Sequence, residues 1–381
     1  MRRLSSFSST PGFSLPVGFA VFGVLTSVFG QQPHHSIGLS NFDRVPASSL
    51  FAGFTLFAAA TPGSGQQAPE PTTISREVKD VFEHCAKAVV KIQATDQHGE
   101  LSGTGFFVDP MGTLYTAYSV GGESENINVE FKGKKYPARQ LMADMRSGIA
   151  LLKVDLASPA LPIGNSEQLE IATPVVTIGY PLDLGETPSF GIVGGFDRKC
   201  FGGFFPTKHL RVNLPPQRGE GGAPLLNLKG EVVGILLYSF ENSSCYALPI
   251  EAAEKLRSDY VRFGEPRYGW IGTNVQEAAT PTEGSRAVTT KVMKDTPAAE
   301  AGLKPGDVVL QIGRTKVHEP EDILEASFFL TAGDAVPITV ARGGEKITFQ
   351  IQADSYPDGR VAAPAKYAMP LNLQSLPTGT P

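Results

Sequence analysis

Residues 218–235 read RGEGGAPLLNLKGEVVGI. A tight glycine-rich turn is followed by an apolar strand, a hairpin and a second apolar strand. A turn of this rhythm is the kind that presents a serine nucleophile, with two glycines close by. Where the serine belongs, the chain has Gly221.

Outward from this stretch, short apolar runs recur with turns between them. Upstream lie residues 88–94, 103–110, 112–120, 127–131, 149–155, 172–180 and 190–196, and 210–214, 231–240 and 244–250 complete the set. Many short strands at regular spacing predict a β-barrel or sandwich. Ser75 caps a helix with Val78, Phe82 and Ala86 at helical spacing, and residues 250–264 form a helix stopped by Gly264. After Glu265-Pro266 the pattern restarts. Strands at 270–276 and 287–293, a short helix at 297–302, a strand in 304–313, a helix at 319–330 and strands at 337–344 and 346–352 predict a second domain of roughly 85 residues.

The whole chain has 381 residues, enough for two or three units. It is 41% hydrophobic and 19% charged with net charge -5, so no basic excess favours nucleic acid. Arg2 and Arg3 precede an apolar run from Leu15 to Phe29, the order of an export signal, and a second run spans Leu50–Ala60. At about 11 residues that second run is short of the roughly 20 needed to cross a bilayer. The expectation is export to the periplasm or cell envelope, with membrane anchoring by the first run as the alternative. Residues 61–73 read as a linker and 356–381 as a proline-rich unstructured tail, which gives a leader over 1–73, a first domain over 74–264 and a second over 267–355. Cys85, Cys200 and Cys245 make an odd count, so no disulfide framework is expected. A Cys200–Cys245 bridge stays open beside three small buried thiols. No His/Cys/acidic cluster has ligand spacing, so neither metal nor cofactor is expected.

Five segments, GTGFFVDPMGTLYTAYSV, MADMRSGIALLKVD, LPIGNSEQLEIATPVVTIGYPLDLGETPSFGIVGG, GGAPLLNLKGEVVGI and YALPIEAAEKL, together resemble the trypsin-like domain of HtrA-type serine proteases. YGWIGTNV through TPAAEAGLKPGDVVLQIG resembles the PDZ domain that follows in that family, and the likeness runs in family order from Ser75 to Gln352. It implies a mainly β protein: a double six-stranded β-barrel, the barrels perpendicular, followed by one PDZ domain.

The family's chemistry needs a serine hydroxyl, a histidine to take its proton and an aspartate to orient the imidazole. On the family pattern those places hold Ser119 (in TAYSV), Gly148 (before IALLK) and Gly221 (in GEGGAP). A slip of a few residues does not restore them. No serine occurs between Ser189 and Ser239 and no histidine between His98 and His209. Asp144, near the expected acid, reads as a turn residue, and His84 and His98 as solvent-facing or capping side chains. Gly219, Glu220 and Gly221 read as the remnant of an oxyanion loop that no longer serves chemistry, since Glu220 puts a negative charge where an oxyanion would form.

In the second domain Tyr268, Gly269, Trp270, Ile271 and Gly272 match the loop whose backbone N–H groups receive a peptide carboxylate. The strand from Ile271 would pair with the peptide, and Ile323, Leu324, Ser327 and Phe328 on the helix are candidates to face it. The resemblance therefore implies an inactive relative that binds unfolded or C-terminal peptide segments in envelope protein quality control, or acts as a scaffold or regulator. Active relatives and a homo-oligomer such as a trimer are candidate partners. An active serine endopeptidase and a structural or anchoring protein without ligand are the alternatives.

Overall fold

The computed structural model describes residues 73–200, 203–215, 217–240 and 244–355. The export, linker and tail expectations for 1–72 and 356–381 lie outside them. Among the described residues no helix is long and apolar enough to cross a membrane.

Helix α1 (Thr73–Cys85) opens the described chain and lays Val78, Val81, Phe82 and Cys85 on the core. Strands β1 (Val89–Asp96), β2 (Gly99–Phe107), β3 (Thr113–Ala117), β4 (Glu125–Phe131), β5 (Lys134–Asp144) and β6 (Ile149–Val154) close a barrel in the order β1-β2-β3-β6-β5-β4. Helix α2 (Tyr118–Gly121) leaves β3 as a single turn. A second closed barrel, ordered β10-β11-β12-β9-β8-β7, comprises β7 (Pro174–Gly179), β8 (Thr187–Cys200), β9 (Gly203–Asn213), β10 (Pro224–Leu226), β11 (Val232–Phe240) and β12 (Ser244–Pro249). Helix α3 (Ile250–Phe263) follows and ends at Gly264 with φ +79°, the left-handed cap predicted from the sequence.

Side chains alternate along a strand, so adjacent apolar residues serve different cores. Phe107, Leu114 and Leu152 fill the first barrel, whereas their neighbours Phe106, Tyr115 and Leu151 face a second cluster. That cluster also takes Val176, Ile178, Leu226, Ile235 and Leu248 from the second barrel. Both faces of these strands are therefore buried, and IALLKV reads as a continuous apolar run without visible alternation. Tyr115 fixes α3 over this seam by donating its hydroxyl to the Ala253 carbonyl at 3.1 Å and to Glu254 at 2.8 Å.

The last module begins with β13 (Gly269–Trp270), which pairs with β20 (Asp354–Ser355). Strands β14 (Thr273–Thr282), β15 (Ser285–Val292), β16 (Val308–Ile312), β18 (Ala335–Arg342) and β19 (Glu345–Gln352) form its sheet, with β17 (Thr315–Lys316) on β16. Helices α4 (Pro297–Glu300) and α5 (Pro320–Phe329) complete it. Glu319 and Asp322 close a capping box at the start of α5. The strand expected from Ile271 begins at Thr273, because Ile271 and Gly272 are held instead as acceptors for Ala298 N–H and Met293 N–H, both at 2.9 Å.

This module is pinned to both barrels. Tyr268 donates its hydroxyl to Asp144 at 2.7 Å, and its ring lies 4.4 Å from both the Arg146 guanidinium and the Lys255 ammonium. Arg198 on β8 reaches α5, pairing with Asp322, Glu319 at 3.3 Å and Glu325 at 2.8 Å. Phe328, expected to face a ligand, is instead fully buried in the seam cluster, 5.4 Å from the Tyr268 ring. Facing a barrel removes more apolar surface from water than facing an open groove, and this decides its side of the helix. The Cys200–Cys245 bridge is not formed: Cys245 is a free, buried thiol that donates to the Leu214 carbonyl.

Candidate functional site

A cleft of about 540 Å³ runs between the two barrels. β2 supplies Ser102, α2 supplies Ser119, the loop after β9 supplies Gly219, Glu220 and Gly221, and β12 supplies Cys245.

The loop's shape follows from contacts that admit only glycine. Gly219 and Gly222 have φ of +95° and +88°. A Cβ at Gly219 would overlap the Tyr180 carbonyl oxygen, and one at Gly222 would overlap the Thr104 carbonyl oxygen and crowd the Thr116 hydroxyl. Thr104 ties the turn down from the first barrel. Its N–H donates to the Gly221 carbonyl at 3.0 Å and its hydroxyl to the Gly219 carbonyl at 2.7 Å. Gly222 N–H donates to the Leu236 carbonyl across the loop at 2.7 Å. Among the described residues, the N–H groups of Gly219 and Gly221 have no acceptor, and both residues line the cleft.

Gly221 differs from its neighbours. Its φ is not left-handed, and the nearest atoms a Cβ would meet are Ala117 Cβ at 3.8 Å and Ser119 Oγ at 4.0 Å. A side chain fits there, so packing does not explain its absence. The same measurement shows that 119 and 221 face one another. Gly148 joins them through the backbone, its carbonyl accepting Tyr118 N–H at 2.7 Å. It has φ +79°, and a Cβ would lie 3.2 Å from Leu237 Cδ1. The structure thus brings Ser119, Gly148 and Gly221 into one neighbourhood, which then holds one hydroxyl, no imidazole and no carboxylate at those three positions.

Among the described residues, no histidine lines the cleft. His209 is buried in the second barrel, stacked on Phe205 at 4.2 Å, and burial lowers its pKa to about 4. His84 and His98 are exposed, on α1 and in the β1–β2 turn. Asp144 accepts the Ser147 N–H at 2.7 Å as a turn residue does, and its contact with Tyr268 was not legible in the sequence. Cys245 does line the cleft, but burial and then the nearby Glu220 carboxylate push its thiol up to about 12, so it stays protonated and a poor nucleophile. Glu220 itself is 5% exposed. Its burial was missed because a charged residue in a glycine turn reads as solvated.

In the last module Gly269 N–H is already donated to the Leu330 carbonyl at 2.8 Å, so Gly269 does not offer the carboxylate-binding donor expected of it. The N–H groups of Ile271 and Gly272 have no acceptor among the described residues. Trp270 pairs with Asp354, and Tyr268 is engaged by the barrel. On α5, Ile323 packs on the module's core, while Ser327 turns its hydroxyl back to the Leu324 carbonyl at 2.7 Å. Leu324 is exposed.

Residues 103–235 match the trypsin-like peptidase domain family and residues 269–353 the PDZ domain family. Barrels and module therefore define a trypsin-like peptidase fold carrying a PDZ domain. More narrowly, the order of barrels and module is similar to that of HtrA-type proteases. The chain is 28% identical over 279 residues to a protein named probable periplasmic serine endoprotease DegP-like from Rhizobium meliloti, with 69% of this chain and 55% of that protein covered. A protein of the same name from Halomonas elongata is 29% identical over 275 residues, covering 68% and 58%. The chain thus spans little more than half the length of these relatives. Among solved structures, the HtrA-type protease AlgW with tripeptide superposes with TM-score 0.61 at 24% identity, over 74% of this chain and 99% of that one. A serine endoprotease from Yersinia pestis gives 0.55 at 26%, over 75% and 99%.

Proposed function

We propose that this chain is a pseudoprotease of the cell envelope, which grips polypeptide through an HtrA-type scaffold without cutting it. The observation that carries this reading is the pair Gly221 and Ser119: the place of a nucleophile holds no side chain, and the group 4.0 Å from where its Cβ would stand is a hydroxyl that cannot take its proton. In subtilisin, removal of the whole triad costs about 10⁶-fold in kcat. Residual hydrolysis near background follows.

Peptide capture is assigned to two places. The cleft offers unpaired N–H groups at Gly219 and Gly221, and the PDZ loop offers those of Ile271 and Gly272 to a terminal carboxylate. The periplasmic names of the relatives support an envelope location, and a trimer or assembly with active relatives belongs to the same proposal. Incubating the purified chain with casein and with a serine-directed fluorophosphonate tests the first half. The expected outcome is intact casein and no label, and turnover of either reagent sinks the reading. Titration with peptides bearing free C-termini tests the second, with saturable binding expected. Absence of binding, together with failure to protect a client from aggregation, favours a purely structural role.

A further inference from the structure

The cleft contains a charge that the proposed loss of catalysis does not account for. Glu220 stands at the centre of the loop remnant with 5% of its surface exposed. One carboxylate oxygen accepts the Gln217 N–H at 2.9 Å, and the other, Oε1, has no hydrogen-bond partner among the described residues. An orphan carboxylate oxygen in a protein interior is costly, and such atoms are rare in native folds. Arg218, the basic residue lining the same cleft, is exposed and makes no ion pair with it among the described residues.

The surroundings of Glu220 define what would complete it. Leu101, Val120, Leu182 and Leu236 give the cleft apolar walls, and two further acidic residues, Glu100 and Asp183, line it. Asp183 is engaged with Lys91 at 2.5 Å. Aliphatic walls leading to a buried, half-satisfied carboxylate match a long apolar stem ending in a cation, which is the form of a lysine or arginine side chain. The volume of about 540 Å³ accommodates such a group with adjoining backbone. The acceptor-free N–H groups of Gly219 and Gly221 on either side of Glu220 would take that backbone's carbonyls. Burial holds the Glu220 carboxyl above the usual range, with the Gln217 N–H pulling the other way, and an arriving cation would favour its ionised form.

We infer that the inter-barrel cleft is a binding subsite for a lysine or arginine side chain of a captured polypeptide, with Glu220 as its counter-charge. This subsite rests on the reading of the cleft as a grip, and the following experiment separates the two. Fluorescein-labelled octapeptides, acetylated at the N-terminus and amidated at the C-terminus so that the PDZ loop has no carboxylate to receive, differ only at one central residue: lysine, arginine, acetyl-lysine, norleucine or glutamate. Anisotropy titration of the full chain is expected to give lysine and arginine peptides roughly tenfold tighter binding than norleucine and acetyl-lysine, the size of a hydrogen-bonded contact between charged groups. Glu220→Gln, which keeps the shape, is expected to remove that difference, so that lysine, arginine and norleucine peptides bind the variant alike.

Equal affinity of all five peptides for the unmodified chain overturns the subsite, as does a lysine preference that survives Glu220→Gln. The peptide series decides the first point by itself, even if the variant does not fold. Mass spectra of the peptides after incubation report on the other reading. Fragments would end the non-cutting interpretation while the lysine preference is still scored from initial binding.

Discussion

Glycine appears four times between 219 and 230, and these residues do not have one cause. Gly219 and Gly222 are demanded by positive φ and by carbonyl oxygens where a Cβ would sit, whereas Gly221 is under neither constraint. Gly221→Ser is therefore expected to change unfolding free energy by no more than about 0.5 kcal/mol in urea titration. On the proposed reading it should give no casein hydrolysis, because the new hydroxyl would face Ser119 and not an imidazole. Gly148→Asp behaves differently. A side chain at φ +79° and 3.2 Å from Leu237 is strained, and a loss of about 1–2 kcal/mol is expected in the same titration. Placing histidine, aspartate and serine at 119, 148 and 221 is thus opposed at one position of three, and a chain bearing all three should be less stable than one bearing the changes at 119 and 221 alone. Flanking motifs made the occupants of these three positions legible in the sequence. The burial of Glu220 and the position of Leu237 were hidden, since neither loop register nor cross-barrel contact has a local signature.

At the scale of elements, legibility followed the evenness of the hydrophobic pattern. β6 and β7 were readable to within a residue or two because buried β-branched and leucine runs have few other homes. β5 was not, since Lys134, Lys135, Arg139 and Gln140 give it a polar surface, and only Met142 and Asp144 are deeply buried. The first half of β9 was hidden by Pro206 inside FFPTKHL, and β10 is three residues long. In the PDZ module no local pattern tells which sheet residue anchors which turn. The structure shows Arg342 of β18 pairing with Asp307 through two bonds of 2.6 and 2.7 Å and with the Gly302 carbonyl at 2.8 Å. Burial acts to raise the Asp307 pKa, but these bonds, the Lys304 N–H and the charges of both cations hold it below the usual carboxylate range. A folded pKa below the unfolded one means stability that is complete above the unfolded value, about 3.9, and is lost as pH falls through the folded value. Acid unfolding followed by β-sheet circular dichroism should therefore steepen below about pH 4. Asp307→Asn should flatten that limb and cost about 2 kcal/mol at pH 7.

The whole molecule is set by the seam between barrels and PDZ module. Tyr268, Phe328, Arg146 and Lys255 pack together at one end, and Arg198 holds the acidic face of α5 at the other. Thr331 adds a hydroxyl to Asp259 at 2.9 Å, and Arg262 adds a bidentate pair to Asp334. The double family resemblance predicted two modules in order, but not that the proposed groove helix would turn a phenylalanine into the other module's core. Arg198→Ala combined with Tyr268→Phe is expected to raise amide hydrogen exchange in residues 264–270 and 320–329 while β6 and β11 stay protected. Unchanged exchange in α5 would mean that the apolar contacts hold the seam unaided.

The glycines of the 219–222 turn carry one more consequence. The geometry of Gly219 and Gly222 is dictated by Thr104, Thr116 and Tyr180, which belong to the framework of the barrels and Tyr180's adjoining turn. The hollow is thus a by-product of how the two halves close, much as an arch keeps its opening without a door. Side chains at its rim can change with little effect on folding, as the open space around Gly221 shows.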